Sequence, residues 1–69
     1  MNTVKVVELI GTSTKSWEDA ASNAIKEAAE TIKGITGLEV SSQTAKVKDG
    51  KIVEYRTTVK IAFLVERGH

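Results

Sequence analysis

Apolar residues follow two rhythms along this chain. From Thr3 to Ile10, Val4, Val6 and Ile10 fall on one face of an extended segment and Val7 and Leu9 on the other. These residues are mostly β-branched and suit a pleated surface. A strand apolar on both faces asks for cover on both. Gly11-Thr12-Ser13-Thr14-Lys15 reads as a polar turn. From Trp17 the rhythm changes. Trp17, Ala20, Ala21, Ala24, Ile25, Ala28, Ile32 and Ile35 recur at the spacing of one helical face. Ser16 predicts the N-cap, with Asp19 three residues on as a variant of the capping box. Glu18 and Asp19 place negative charge in the first turn, where the helix dipole favours it. Lys33 and Gly34 mark the expected end, Gly34 as a left-handed C′ residue. A helix over 16–33 follows, with a mostly alanine face that lets it approach a sheet closely.

A period of two then returns. Leu38 to Lys48 reads as a second, more polar strand, with Leu38 and Val40 sharing a face with Ser42, Thr44 and Lys46. Asp49-Gly50 between two strand-like runs is a strong hairpin signal. The third strand, Lys51 to Glu66, alternates cleanly. Val53, Tyr55, Thr57, Val59, Ile61, Phe63 and Val65 form its expected core face. The prediction is an α+β fold in which a β-α-β-β chain wraps a three-stranded antiparallel sheet, order 1-3-2, on one helix. Nothing marks a linker, so residues 1–69 form a single domain. The first and second strands are both edges, and long edges invite pairing with another chain.

Composition sharpens this picture. In 69 residues, with no cysteine and one histidine at the last position, neither disulfides nor a zinc site is expected to brace the fold. A core of this size supplies only about 3–5 kcal/mol. Self-association is therefore expected, and a homo-oligomer is the first partner assigned. The 41% hydrophobic and 28% charged content suits a soluble domain. No stretch reads as a membrane span, and no secretory leader is visible, so the expected compartment is the cytoplasm. The net charge of +1 and a single Trp, Tyr and Phe argue against nucleic acid. Lys46, Lys48, Lys51, Arg56 and Lys60 cluster on the hairpin, but Glu54 and Glu66 dilute them.

No nucleophile sits beside a base, and the phosphate-loop glycine pattern is absent, so no catalytic residue is assigned and the chain is not expected to be an enzyme. Glu27 and Glu30 belong to a solvated helix face, and Glu18 and Asp19 fit capping roles. Trp17 is read as a core or subunit-contact anchor. No residue set is assigned to a metal; a calcium or magnesium site at a subunit contact stays open.

Several stretches together resemble the dodecin family. They are Val6-Val7-Glu8-Leu9-Ile10-Gly11-Thr12-Ser13, Ser16-Trp17-Glu18 with the Ala-rich helix, Leu38-Glu39-Val40, Glu54-Tyr55-Arg56, and Val59-Lys60-Ile61-Ala62-Phe63. The resemblance covers nearly the whole chain. It implies the same β-α-β-β fold and a hollow shell of twelve identical subunits. It also implies storage of a small planar ligand, a flavin such as FMN, riboflavin or FAD. In flavin-binding members a Trp after the helix stacks on the ring, and its place here is Gly37. A Gln on the third strand meets the ring's polar edge, and its place here is Arg56. The second-strand contact position falls on Thr44 or Lys46. The expected ligand-binding residues are thus Gly37 and Arg56, with Lys5 and Lys46 as lesser contacts to phosphate or carboxylate. For Arg56 the competing expectation is a salt bridge between subunits, to Glu54 or Glu66. The missing Trp and the Ser16-Trp17-Glu18 match also resemble a flavin-free branch, one member of which is called calcium dodecin. A flavin-free assembly with a structural or calcium-type role is the alternative.

Overall fold

The structure, a computed structural model, describes residues 3–65. Strand β1 (Thr3–Ser13) leads into helix α1 (Trp17–Ala29), then β2 (Ile35–Lys48) and β3 (Lys51–Val65). The sheet is antiparallel in the order β1-β3-β2, as the alternation predicts, with β3 in the centre. The β2–β3 hairpin turns on Asp49 and Gly50, with φ of 51° and 74°. Two consecutive residues at positive φ match the right-handed strand twist, which is why Asp-Gly is favoured there.

The helix lies across β1 and β3 and barely reaches β2. Ala24 and Ala28 press on Val59 and Ile61, and these four are buried, as is Ala20 one turn earlier on the helix. Val7, Leu9, Ala21, Ile25, Ile32 and Ile35 close around this core. At the helix start, the Ser16 hydroxyl accepts a hydrogen bond from the Asp19 amide at 3.0 Å, the expected cap. The Asp19 carboxylate does not reach back to complete a capping box. It accepts from the Ser13 hydroxyl at 2.6 Å, and that hydroxyl also accepts from the Lys15 amide at 2.9 Å. Ser16→Ala is expected to cost about 1 kcal/mol and to lower the melting temperature by roughly 4–8 °C. An unchanged circular-dichroism melt would show that the cap carries no stability.

Four boundaries differ from the pattern-based expectation. The turn expected over 11–15 is largely strand, since β1 continues to Ser13. The helix ends at Ala29, four residues before Lys33. Ile32 and Ile35 still pack on the core, Ile32 from a closing turn in which its amide bonds the Ala28 carbonyl at 2.8 Å and Ile35 as the first residue of β2. Gly34 does adopt a left-handed φ of 76°, yet as the entry to β2 and not as the helix C′. Thirdly, β2 begins at Ile35, three residues before Leu38. Finally, a register shift between Val40 and Ser42 splits the face assigned to β2. Leu38 and Val40 stand opposite Ile61 and Val59 on the helix side, whereas Ser42, Thr44 and Lys46 stand opposite Thr58, Arg56 and Glu54 on the other side. The expected end of the third strand at Glu66, and His69, lie outside the described residues.

Candidate functional site

The core face of β3 is occupied by the helix, so chemistry must come from the opposite face or from the rims. The opposite face is built as ranks across three strands. Val6, Ala62 and Gly37 form one rank, then Glu8, Lys60 and Glu39, then Ile10, Thr58 and Ser42, then Thr12, Arg56 and Thr44. Lys46 and Glu54 follow at the hairpin end. Apolar groups dominate the end near Gly37 and polar groups the end near Arg56. Lysine 60 lies between two glutamates, so the basic residues of the hairpin do not form a stripe of one sign.

The predicted site residues fall at separate places. Gly37 stands opposite Ala62, and a Cβ at Gly37 would meet only the Ala62 Cβ, at 3.9 Å. A Cβ there is therefore accommodated at ordinary contact distance. Arg56 lies six residues along β3 from Ala62, roughly 20 Å at the rise of an extended strand. A planar tricyclic ring does not span that distance. Lys46 shares the Arg56 end of this face, opposite Glu54. Lys5 stands opposite Phe63, on the helix side of the sheet. One chain therefore brings Arg56 and Lys46 together and leaves Gly37 and Lys5 apart from them.

Arg56 makes a salt bridge, and it is internal. Its Nε donates to a Glu54 carboxylate oxygen at 2.9 Å within the same strand. Within one subunit Arg56 thus pairs with Glu54; Glu66 lies outside the described residues. Both partners are solvent-accessible. The terminal guanidinium nitrogens carry no hydrogen bond within the described chain.

Trp17 is the anchor the sequence suggests. Its indole N–H donates to the Thr44 carbonyl at 2.8 Å, and its ring meets Tyr55 edge-on with centroids 4.8 Å apart. Its own carbonyl accepts from the buried Thr57 hydroxyl at 2.8 Å. The first helical residue is thereby tied to both β2 and β3. Sequence reading missed the polar ties that hold this end. Ser13 to Asp19 is one, and Asn23 Nδ2 to the Thr12 carbonyl, at 3.0 Å, is another. Only the hydroxyl and amide side chains flanking the turn hint at them.

Oxygen-bearing side chains line one shallow hollow, formed by Ser16, Glu18, Asp19 and Ser22. Calcium takes six to eight oxygen ligands. Here the Asp19 Oδ2 already accepts from the Ser13 hydroxyl, and the Ser16 hydroxyl is engaged in the helix cap. Among the described residues no group of three or more acidic, histidine or cysteine side chains forms a metal cluster. One chain does not complete a calcium shell. No helix of the described residues is long and apolar enough to cross a membrane.

Comparison with known proteins places these features in context. The family model described as Dodecin matches residues 3–66. A curated relative from Mycobacterium tuberculosis, called calcium dodecin, is 33% identical over 63 residues, spanning 91% of this chain and 89% of its own. A solved dodecin from Streptomyces coelicolor superposes with a TM-score of 0.94 at 27% identity, covering 97% of this chain and 96% of its own. The solved calcium dodecin from Mycobacterium tuberculosis, described as a calcium-chelating antigen with a novel calcium-binding site, superposes with a TM-score of 0.82 at 34% identity. That superposition covers 97% of this chain and 96% of its own.

Proposed function

As the chain belongs to the dodecin family, we propose that it assembles into a homo-dodecameric shell whose ligand sites lie between copies and store a small planar molecule of flavin type. The observation that carries this reading is the distance between Gly37 and Arg56: the two flavin-contact positions share a face but cannot meet one ring within a single chain. The shape of the protomer supports assembly. It measures 56 × 20 × 12 Å with a radius of gyration of 14.4 Å, against about 11 Å for a compact chain of this length. A body this thin leaves its outer sheet face bare. Val4, Val6 and Ile10 are 54%, 55% and 64% exposed, and Leu38 and Val40 stand beyond the reach of the helix. Covering such residues contributes about 25 cal/mol for each Å² of apolar surface removed from water.

Gly37 shapes the ligand reading. Without an aromatic ring at that position, flavin is held only by contacts that Arg56, Lys46 and the flanking hydroxyls supply from neighbouring copies. A second reading has an observation of its own. The 33% identical relative is named for calcium, and the carboxylates of this chain would have to be pooled across copies to surround that ion. In that reading the pocket at Gly37 is vacant and the shell is flavin-free. Native mass spectrometry of freshly isolated protein, with and without added calcium, separates the two readings. A particle of twelve chains carrying flavin mass, or quenching added riboflavin, supports flavin storage. Twelve chains with calcium-dependent mass and no flavin quenching favour the second reading. A folded single chain at micromolar dilution would overturn both.

A further inference from the structure

The early end of the helix creates a feature that the pattern of residues does not announce. After Ala29 the chain runs beside β3 without regular structure. Gly34, at a φ of 76°, turns it into β2, and the Gly34 carbonyl accepts the Leu64 amide at 3.1 Å. This clip holds the segment against the end of β3. Between the segment and the sheet lies an open hollow of about 460 Å³, lined by Lys5, Thr31, Ile32, Lys33, Phe63 and Leu64. Its volume lies within the range of small-molecule sites.

The lining is amphipathic in a particular way. Ile32 and Phe63 are half-buried and make an apolar floor, and Phe63 is held opposite Lys5 by the β1–β3 ladder. Lys5 and Lys33 are both exposed at the rim, and Thr31 adds a hydroxyl. Among the described residues no carboxylate lines the hollow. Two ammonium groups with no carboxylate beside them among the described residues of the lining attract an anion. The apolar floor selects against a fully hydrated inorganic ion, because filling it with water leaves its surface uncovered.

We propose that this hollow binds an organic anion, with its apolar body on Ile32 and Phe63 and a carboxylate or phosphate head between Lys5 and Lys33. Of the four residues expected to contact a flavin, Lys5 lines this hollow and Gly37, Arg56 and Lys46 do not. Lysine suits the task because its ammonium is mobile on an apolar stem that lies along the floor while the charge stays in water.

Isothermal titration of the full-length protein with octanoate, octyl phosphate, octanol and inorganic phosphate tests this. Octanoate or octyl phosphate is expected to bind saturably, at least tenfold more tightly than octanol or inorganic phosphate. The tighter of the two identifies the preferred head group. Replacing both lysines (Lys5→Gln with Lys33→Gln) should weaken that binding at least tenfold, while Lys46→Gln leaves it unchanged. On the unaltered protein, the methyl resonances of Ile32 and the ring resonances of Phe63 should shift during the titration. Absence of saturable binding overturns the proposal. So does octanol binding as well as octanoate, unchanged affinity in the double variant, or a shift that bypasses Ile32 and Phe63.

Discussion

Gly11→Ala is expected to remove most of the stability of the fold. Gly11 lies inside β1, opposite Thr57, directly under the first turns of the helix. A Cβ at that position would overlap the Ala20 carbonyl oxygen and come within 2.9 Å of the Ala24 methyl. Neither obstacle is the flexible tip of a long side chain. One is helix backbone and the other belongs to the buried alanine face, so the helix itself would have to lift. Overpacking of this kind costs about 1–3 kcal/mol and occasionally more, and the rigid obstacles place this case at the upper end. A core of this size provides only about 3–5 kcal/mol to begin with. Lifting the helix also strains the Asn23 bond to the Thr12 carbonyl and the Ser13 bond to Asp19. Urea titration followed by circular dichroism should show a large fall in midpoint, with unfolded protein present at 25 °C. Gly37→Ala is the control, because a Cβ there is accommodated at ordinary contact distance. Equal midpoints for Gly11→Ala and the unaltered protein would mean that the helix does not rest on β1 at this point.

The same glycine shows what a sequence conceals. A glycine at the end of an apolar strand run fits a turn and a close approach of backbone equally well. Its partner, Ala20, becomes visible only when the helix is seated. The helix start, by contrast, is legible because capping is local: Ser16, Glu18 and Asp19 say where the first turn begins without reference to the rest of the fold. The hairpin is legible for the same reason, through Asp49-Gly50. The helix end is not. Ile32 and Ile35 keep the helical spacing, yet they reach the same core from a closing turn and from the start of β2, and the β-branched Thr31 and Ile32 are mediocre helix formers. The displaced face of β2 is harder still. The register shift falls at Ser41, on an edge strand with no glycine or proline to mark it, and it reverses the direction of every later side chain up to Lys46. For the site, Gly37 and Arg56 can be located by their resemblance to family positions. That they stand roughly 20 Å apart emerges only from the strand register. The hollow beside Lys5 and Lys33 depends on where the helix stops, and no local pattern reports that.

Restoring an aromatic ring at Gly37 is expected to turn weak flavin binding into strong binding. Gly37→Trp combined with Arg56→Gln should raise flavin affinity roughly five- to 150-fold for each stack formed, corresponding to about 1–3 kcal/mol. The protomer tolerates both changes. Among the described residues, the one heavy atom within 4 Å of a new Cβ at Gly37, beyond its own neighbours, is the Ala62 methyl, at ordinary contact distance. Arg56→Gln gives up the bond to Glu54, but both side chains are accessible, so water solvates the freed carboxylate. Most of the gain should come from the tryptophan. Arg56→Gln alone supplies an uncharged donor and acceptor for the polar edge of the ring but no stacking surface, so its effect should be small. Quenching of riboflavin fluorescence by the assembled protein measures all three variants on one scale, and size-exclusion chromatography confirms that the particle is intact. A double variant that assembles normally and titrates like the unaltered protein would show that the space between copies no longer has the shape of a flavin pocket. The flavin reading would then fail on geometry, not on a missing ring, and the calcium reading would be left to explain why this face of the sheet has kept Arg56 joined to Glu54.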